Sequence, residues 1–563
     1  MRNRKRRSLI FMLAALFLVA GFAGAQSKGL KAISAEDMKP HMKFLAAKEF
    51  RGRSAPSTDL TIASKYIALQ AERIGLKPLM PNGSYFQDVP VEVTTISPAK
   101  SYLRLLSGGG EQKFYFPQSF TTNVRTGGEW AAAGGLVFIG SVLSGAEPKW
   151  DDSLGIDLRG KFAVILDVPA PAPAGVQRQT AAGASSFARI RVLREKGAIG
   201  LITIIGRERE NNLIQKGLVF DVSERLRFLD VDTVNPMSPA TPQPAGTQPA
   251  AAVQAAAAAP FYTAEVRHEA GAALLGVSRA ELDRMFDALG QGQQVPAKAL
   301  EGKLVDIAVG FQQRKDVTPN VVGYLPGSDA QLKNEYIVIG SHHDHNPPRE
   351  GRIFPGADDN ISGGAAMLEI AKALMIEKPK RSVIFVWHTA EERGLVGAYY
   401  FVQHSPVPAE KISANLNLDM VSRNDPNSIY LIGSNKLSTE FDKSIHDMNS
   451  RYVGLKLDYK YEDPGEPSRF FFRSDQYPYI RYGIPGVWFF SGTTEDYHRE
   501  TDVEEKCDYG KMVKVSRLVY AVAMDLGNKP GLCKLDINPE ITTRGKHNMK
   551  IVWQRPPQPQ QKR

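Results

Sequence analysis

Only two cysteines, Cys507 and Cys533, occur in 563 residues. Two thiols cannot build a structural zinc site alone, because such a site takes four ligands. In an oxidising compartment the pair could form a disulfide worth roughly 3–4 kcal/mol by loop entropy. Two unpaired thiols is the other reading, and both stay open. Past residue 25 the sequence has no apolar run of the ~20 residues that a bilayer crossing needs, so no stable membrane anchor is expected. Net charge is missing as well. The formal total is +10, but residues 1–25 hold five basic and no acidic side chains, residues 541–563 hold six and none, and residues 26–540 are left at −1. A neutral body offers no electrostatic footprint for nucleic acid. Familiar catalytic signatures are absent too. There is no G-x-S-x-G elbow, no Walker A loop and no dinucleotide fingerprint. His268-Glu269 is followed by Ala272 where a helical zincin needs its second histidine.

What is present begins with a leader-like segment. Arg2, Arg4, Lys5, Arg6 and Arg7 precede the apolar run LIFMLAALFLVAGF and the small residues Ala23-Gly24-Ala25. Residues 1–25 are therefore expected to be a signal peptide, and the protein to be exported, periplasmic or extracellular. The whole chain is 43% apolar and 23% charged, ordinary for a globular protein, and too long for one domain. Residues 35–78 have helical periodicity ending at Gly75, and residues 129–235 carry short strand-like runs such as GGLVFIG, KFAVILDV and AIGLITIIG. Residues 236–260 are a Pro/Ala-rich tract that reads as linker, and residues 531–563 are a basic, Pro/Gln-rich tail. From about residue 300 strands and helices alternate, which predicts an α/β domain on a mixed, mostly parallel central sheet covered by helices.

Ligands of such sheets bind beyond the carboxyl ends of the strands. The apolar run YIVIG leads into Ser341-His342-His343-Asp344-His345, and SVIFVWHTA leads into Glu391-Glu392. NLNL leads into Asp419, IPGVWFF is followed by SGTTEDYH ending at His498, and GADDN places Asp358 and Asp359 before a helix. Each feature alone has a bland reading, such as a solvated loop or a helix cap. Five together at one sheet edge do not. Imidazole with carboxylate suits zinc, and this many carboxylates suggests more than one ion. Trp387, Phe489 and Phe490 read as core, and Arg207 and Arg209 as solvated.

The set GSHHDH, GADDNISGGAAMLE, HTAEERGLVGA, NLDMV, SDQYPYIRYGIP and DYH resembles the M28 family of di-zinc metallopeptidases, the aminopeptidase family. Residues 157–204 resemble a protease-associated (PA) domain of the kind inserted in such enzymes. The resemblance implies a zinc-exopeptidase fold over residues 26–120 and 280–530, interrupted by a β-rich PA-like domain over 121–279. It also implies roles. His342, Asp359, Glu392, Asp419 and His498 would be metal ligands, with Asp359 shared by two Zn²⁺ ions. Asp344 would orient the His342 imidazole, Glu391 would be the general base, and Tyr497 would hydrogen-bond the developing oxyanion. Ser474-Asp475 matches the family's SD motif lining the site. His343 and His345 receive no role, and NPPREGRIFP, longer than in compact members, is expected to form a rim loop.

The expected activity is hydrolysis of a peptide or protein substrate, with an aminopeptidase as the first expectation. Two cations and an activated water suit that chemistry. Adjacent Glu391 and Glu392 can approach one water from different directions if the backbone bends out of strand geometry there. A glutaminyl-cyclase-like enzyme and a non-catalytic M28-fold binding protein are the alternatives, and the presence of all five ligand positions weighs against both. Residue specificity and oligomeric state are not encoded in any transferable pattern.

Overall fold

The computed structural model describes residues 27–124, 128–140, 155–168, 190–233, 260–293, 295–463 and 466–537. The leader, nearly all of the Pro/Ala tract and most of the basic tail lie outside the described residues. Helices α1 (Lys28–Ala32), α2 (Ala35–Leu45) and α3 (Thr58–Ile74) lead to β1 (Lys77–Pro78) and β2 (Phe86–Ile96). Then come β3 (Tyr102–Ser107), β4 (Gly110–Tyr115), β5 (Phe120–Thr121), β6 (Trp130–Phe138), β7 (Lys161–Leu166) and β8 (Gly200–Ile204). They are followed by α4 (Arg207–Gln215), β9 (Glu224–Phe228), β10 (Tyr262–Val266), α5 (His268–Leu275), α6 (Arg279–Gly290) and β11 (Lys298–Val309). The remainder alternates through β12 (Phe311–Leu325), β13 (Tyr336–His342), α7 (Gly363–Ile376), β14 (Ser382–His388), α8 (Val396–Gln403) and β15 (Ile412–Leu418). It closes with β16 (Ser428–Ile432), α9 (Thr439–Tyr452), β17 (Lys456–Asp458), α10 (Gln476–Arg481), β18 (Gly486–Phe490) and α11 (Tyr509–Asn528).

The first sheet runs β17-β16-β18-β15-β13-β14-β12-β2-β9, with β1 paired to β12. Its centre, β18-β15-β13-β14, is wholly parallel, so all four carboxyl ends reach one edge. Outside that centre β12, β2 and β9 are antiparallel, so the sheet is mixed and its parallel character is confined mainly to the part that carries the site. The central strands read as unbroken apolar runs because both faces are covered. Ile337, Ile339, Phe385 and Trp387 pack on one side with α7 and α11, while Val338, Ile384 and Val386 pack on the other with Phe401 of α8 and Tyr479 of α10. That division is the period of two expected of a strand. Helix α3 begins with Ser57 accepting from Leu60 N at 3.0 Å and stops at Gly75, whose φ of +99° a side chain would resist.

A second sheet, β4-β3-β11-β6-β7-β8-β10-β5, has its own apolar core. Its extent differs from the expected 121–279. Strands β3, β4 and β11 belong to it, so the excursion occupies 102–309, and β9 from within that stretch returns to edge the first sheet beside β2. The chain leaves and re-enters the first sheet at adjacent points, where Ser97 N donates to Gly310 O at 2.8 Å. Local strand patterns could not show which sheet each strand would join. The reading of Arg209 as solvated is also overturned. Its guanidinium bridges Glu265 (2.8 Å) and the buried Glu350 (2.6 Å), tying α4 to the loop after β13. Cys507 and Cys533 are both buried and no disulfide joins them.

The N-terminal helices are anchored through Glu377, just past α7. Its carboxylate accepts from the Ser27 hydroxyl, from Tyr520 Oη at 2.7 Å and from Gly29 N at 3.0 Å. The Ser27 hydroxyl chiefly, then Tyr520 and the backbone amides, hold it down to about 2 against the opposing effect of burial. A depressed carboxylate stabilises the fold above its unfolded pKa and ceases to do so as pH falls through the folded value. Between pH 4.5 and 2 the wild-type Tm should therefore drop more steeply than that of Glu377→Gln, which should be the less stable of the two at pH 7. Parallel Tm curves in thermal scans across that window would contradict this assignment.

Candidate metal centre

His342 is the last residue of β13 and is fully enclosed. Its Nδ1 donates to the carbonyl oxygen of Asp344 at 3.1 Å, which turns Nε2 toward Asp359 Oδ1 and Asp419 Oδ1, each 3.3 Å away. Holding a ligand imidazole by its far nitrogen fixes both tautomer and aim. The expected role of Asp344 is thus performed by its backbone. The Asp344 carboxylate lies 3.7 Å from Nδ1 and accepts instead from Glu391 N at 3.0 Å. Burial pushes that carboxyl up to about 7, with His342 opposing.

Asp359 stands between two sets of donors. Its Oδ1 faces His342, and its Oδ2 faces His498 Nε2 at 3.1 Å and His345 Nδ1 at 3.8 Å. One carboxylate thus offers an oxygen to each set. The turn that carries it is fixed from beneath. Asp502 accepts from the backbone amides of Asp358 and Asp359 at 3.0 and 3.1 Å. Asn360 donates to Ser341 Oγ and Leu418 O and accepts from Gly363 N and Met420 N, joining the ends of β13 and β15 to the start of α7. Asp419, one residue past β15, is held by Ser474 Oγ at 2.5 Å, so the Ser-Asp motif does line the site.

The second set is Glu392, His498 and, unassigned by the sequence reading, His345. Glu392 Oε1 lies 3.1 Å from His498 Nε2 and 2.8 Å from His345 Nδ1. The His345 ring is completely buried, yet neither of its nitrogens makes a hydrogen bond of acceptable geometry. A buried imidazole so placed is aimed at the point the cluster surrounds. Burial and Asp359 act to raise the Glu392 carboxyl, and His345 and His498 outweigh them, leaving it at about 2. Burial likewise lowers His498, but Asp359 and Glu392 prevail and raise it to about 10. These acids require positive charge beside them. The two groups His342-Asp359-Asp419 and His345-Asp359-Glu392-His498 each bring their donor atoms within 4.8 Å of one another. Imidazoles and carboxylates in sets of three and four fit borderline divalent cations such as zinc.

Glu391 and Glu392 follow β14 where the backbone leaves strand geometry, with Ala390 at φ +52°. This is the bend that the adjacent pair needs. Glu391 comes no nearer to His342 Nε2 than 3.9 Å and lines a small open cavity together with Asp419, Tyr497 and His498. Burial raises its carboxyl well above the usual range, Glu392, Asp419 and Asp475 reinforce the shift, and His342 opposes it. Tyr497 stacks on His498 at 3.8 Å between ring centres. Its hydroxyl accepts from Arg473 Nη2 at 2.9 Å, leaving its own proton to donate into the cavity. Phe490 lines this cavity and so is not solely core, whereas Trp387 and Phe489 are core as expected.

Arg53 and His343 support the site, although neither received a role from the sequence. Arg53, wholly buried, donates to the carbonyls of Leu45, His343, Pro355 and Gly356, clamping both ends of the rim loop. Burial lowers its pKa to about 10, with Asp344 the strongest opposing charge. His343 points away from the cluster, bonded to Ser64 Oγ and His388 O. A motif that alternates inward and outward side chains could have separated His343 from His342 by strand period alone.

Residues 320–523 match the model of Peptidase family M28, and the chain carries that family's domain there. Over 268 residues the chain is 27% identical to leucine aminopeptidase 2 of Trichophyton rubrum, an alignment covering 41% of this chain and 50% of that protein. It is 32% identical over 213 residues to a probable leucine aminopeptidase 2 of Aspergillus oryzae, covering 36% and 40%. The chain thus spans about half the length of the curated relatives it matches. Among solved structures, a zinc aminopeptidase from Bacillus subtilis aligns with a TM-score of 0.48 at 17% identity, over 90% of this chain and 99% of that one.

Asn360 gives a direct check on how the site is held. Asn360→Ala strands buried donors and acceptors on three elements, and stability should fall by about 2–4 kcal/mol. Urea unfolding measures it, and a loss under about 1 kcal/mol would show that the stitching is redundant.

Proposed function

We propose that this M28-domain chain is an exported, di-zinc peptidase that releases N-terminal residues from peptides. The observation that carries the reading is Asp359, whose two carboxylate oxygens face two separate sets of metal-type donors. His342 and Asp419 would complete one position, and Glu392, His498 and His345 the other. Both sets are whole, which favours two ions over the single ion of a glutaminyl-cyclase-like site and over a binding protein. Matches to leucine aminopeptidases support the aminopeptidase class, and the basic-apolar-small leader supports export. The second sheet is read as the PA-like module, covering the site's flank through Arg209 and Glu350.

When bound, a pair of zinc ions supplies Lewis acidity to the scissile carbonyl and acidifies a water. The chain's own groups do the rest. Glu391, buried and raised in pKa, holds no place in either donor set and is the base that takes the water's proton and delivers it to the leaving amine. Tyr497, its hydroxyl turned by Arg473, donates to the oxygen on which charge develops. The sealed carboxyl ends of β13, β14 and β15 keep these groups at fixed separations.

Removal of the base without loss of metal is the sharpest check. Glu391→Gln should retain two zinc ions per chain by elemental analysis and lose about 10²–10⁴-fold in kcat on leucyl anilides. Zinc content falling in step with activity would refute the division between Glu391 and Glu392. His345→Ala should instead lower the zinc content toward one ion per chain under mild chelation, and a variant retaining both ions as firmly as wild type would remove His345 from the donor set.

A further inference from the structure

The cavity beside the donor sets has acids on one side, Asp359, Glu391 and Asp419, and aromatic rings on the other. Phe470, Trp488 and Phe490 have ring centres 4.2–6.1 Å apart, and Met420 completes the floor. One side chain there is out of keeping. Arg473 lines the same cavity, is only partly exposed, and has a neutral phenol, Tyr497, as its hydrogen-bond partner. Its guanidinium lies 5.1 Å from the Phe470 ring centre and 5.9 Å from that of Tyr497. Among the described residues no carboxylate is within 4.0 Å of it, although the arginines at 53, 209, 381 and 423 are compensated by clustered carbonyls or by acids. A guanidinium has five donors in a planar fork suited to a carboxylate, and among the described residues one bond is made. Aromatic walls lower the local dielectric, so an anion arriving at that fork would be held more strongly than in water.

We infer that Arg473 is a specificity-determining residue that receives a carboxylate of the substrate. The inference rests on the peptidase reading and narrows it. The carboxylate has two possible sources. It is either the acidic side chain of the N-terminal residue, with its methylenes against the aromatic floor, or the main-chain carboxylate of a dipeptide.

Two matched pairs of substrates separate the sources in the zinc-reconstituted protein. Glutamyl and glutaminyl anilides differ only at the side-chain carboxylate, and leucyl-glycine and leucyl-glycinamide only at the main-chain one. In one pair kcat/KM should favour the charged member by about tenfold or more. Arg473→Gln should abolish that preference and Arg473→Lys should retain part of it. If the charged-to-neutral ratio is the same in wild type and Arg473→Gln, the inference fails. That holds when all four substrates slow equally, which would make Arg473 a positioning residue for Tyr497. Calorimetry of the four compounds on Glu391→Gln protein reads the same ratios without turnover or any Arg473 variant. Charged and neutral members binding within about threefold of each other in both pairs would overturn the inference even if no substrate is hydrolysed. Absence of hydrolysis by wild type would by itself count only against the peptidase reading.

Discussion

Asp359 is the point on which the rest of the site turns. A carboxylate carries two oxygens a fixed distance apart, and here each addresses a different donor set, so one side chain sets the spacing of both. Such sharing demands that the group neither rotate nor lose its charge. Its backbone amide is bonded to Asp502, its neighbour Asn360 is bonded to three elements, and the imidazoles of His342 and His498 hold its carboxyl well below the usual range despite burial. Four acids, Asp359, Glu391, Glu392 and Asp419, crowd one interior space. That arrangement is costly without positive charge among them. His342 and His498 supply it, their Nε2 atoms 3.1–3.3 Å from oxygens of Asp359, Asp419 and Glu392.

The fold supplies rigidity in the direction the site needs. Four parallel strands ending side by side place their terminal residues within reach of each other, and helices on both faces prevent those ends from fraying. The rim loop between His345 and Asp359 is pinned at both ends by Arg53 from the N-terminal segment and on its outer side by Arg209 from the second unit. Elements far apart in sequence thus converge on the stretch that joins the two donor sets. Burying Arg53 among four carbonyls satisfies most of its donors and leaves the loop little freedom.

Electrostatic roles divide cleanly between the paired glutamates. Glu392 sits between two imidazoles and is driven to low pKa, which suits a ligand. Glu391, one residue earlier, has acids for neighbours and is driven high, which suits a proton acceptor. Adjacent residues reach such different surroundings because the backbone at Ala390 enters the left-handed region and turns the chain across the cavity mouth.

Periodicity and chemistry along the chain are local properties, and they determined a good deal. The unbroken apolar runs implied a covered parallel sheet, and the acids and histidines after those runs implied a cluster at one edge. Gly75 marked a helix end, and the Glu-Glu pair implied a bend. Non-local pairing was decided only in three dimensions. Which sheet β3, β4, β9 and β11 would join depends on partners up to about two hundred residues away, and no strand pattern encodes its neighbour. The same reason hid His345, Arg53 and Arg473. A histidine beside a ligand, an arginine in a loop and an arginine before a helix look alike in sequence whether solvated or enclosed. Only packing determines which nitrogens are left without a partner.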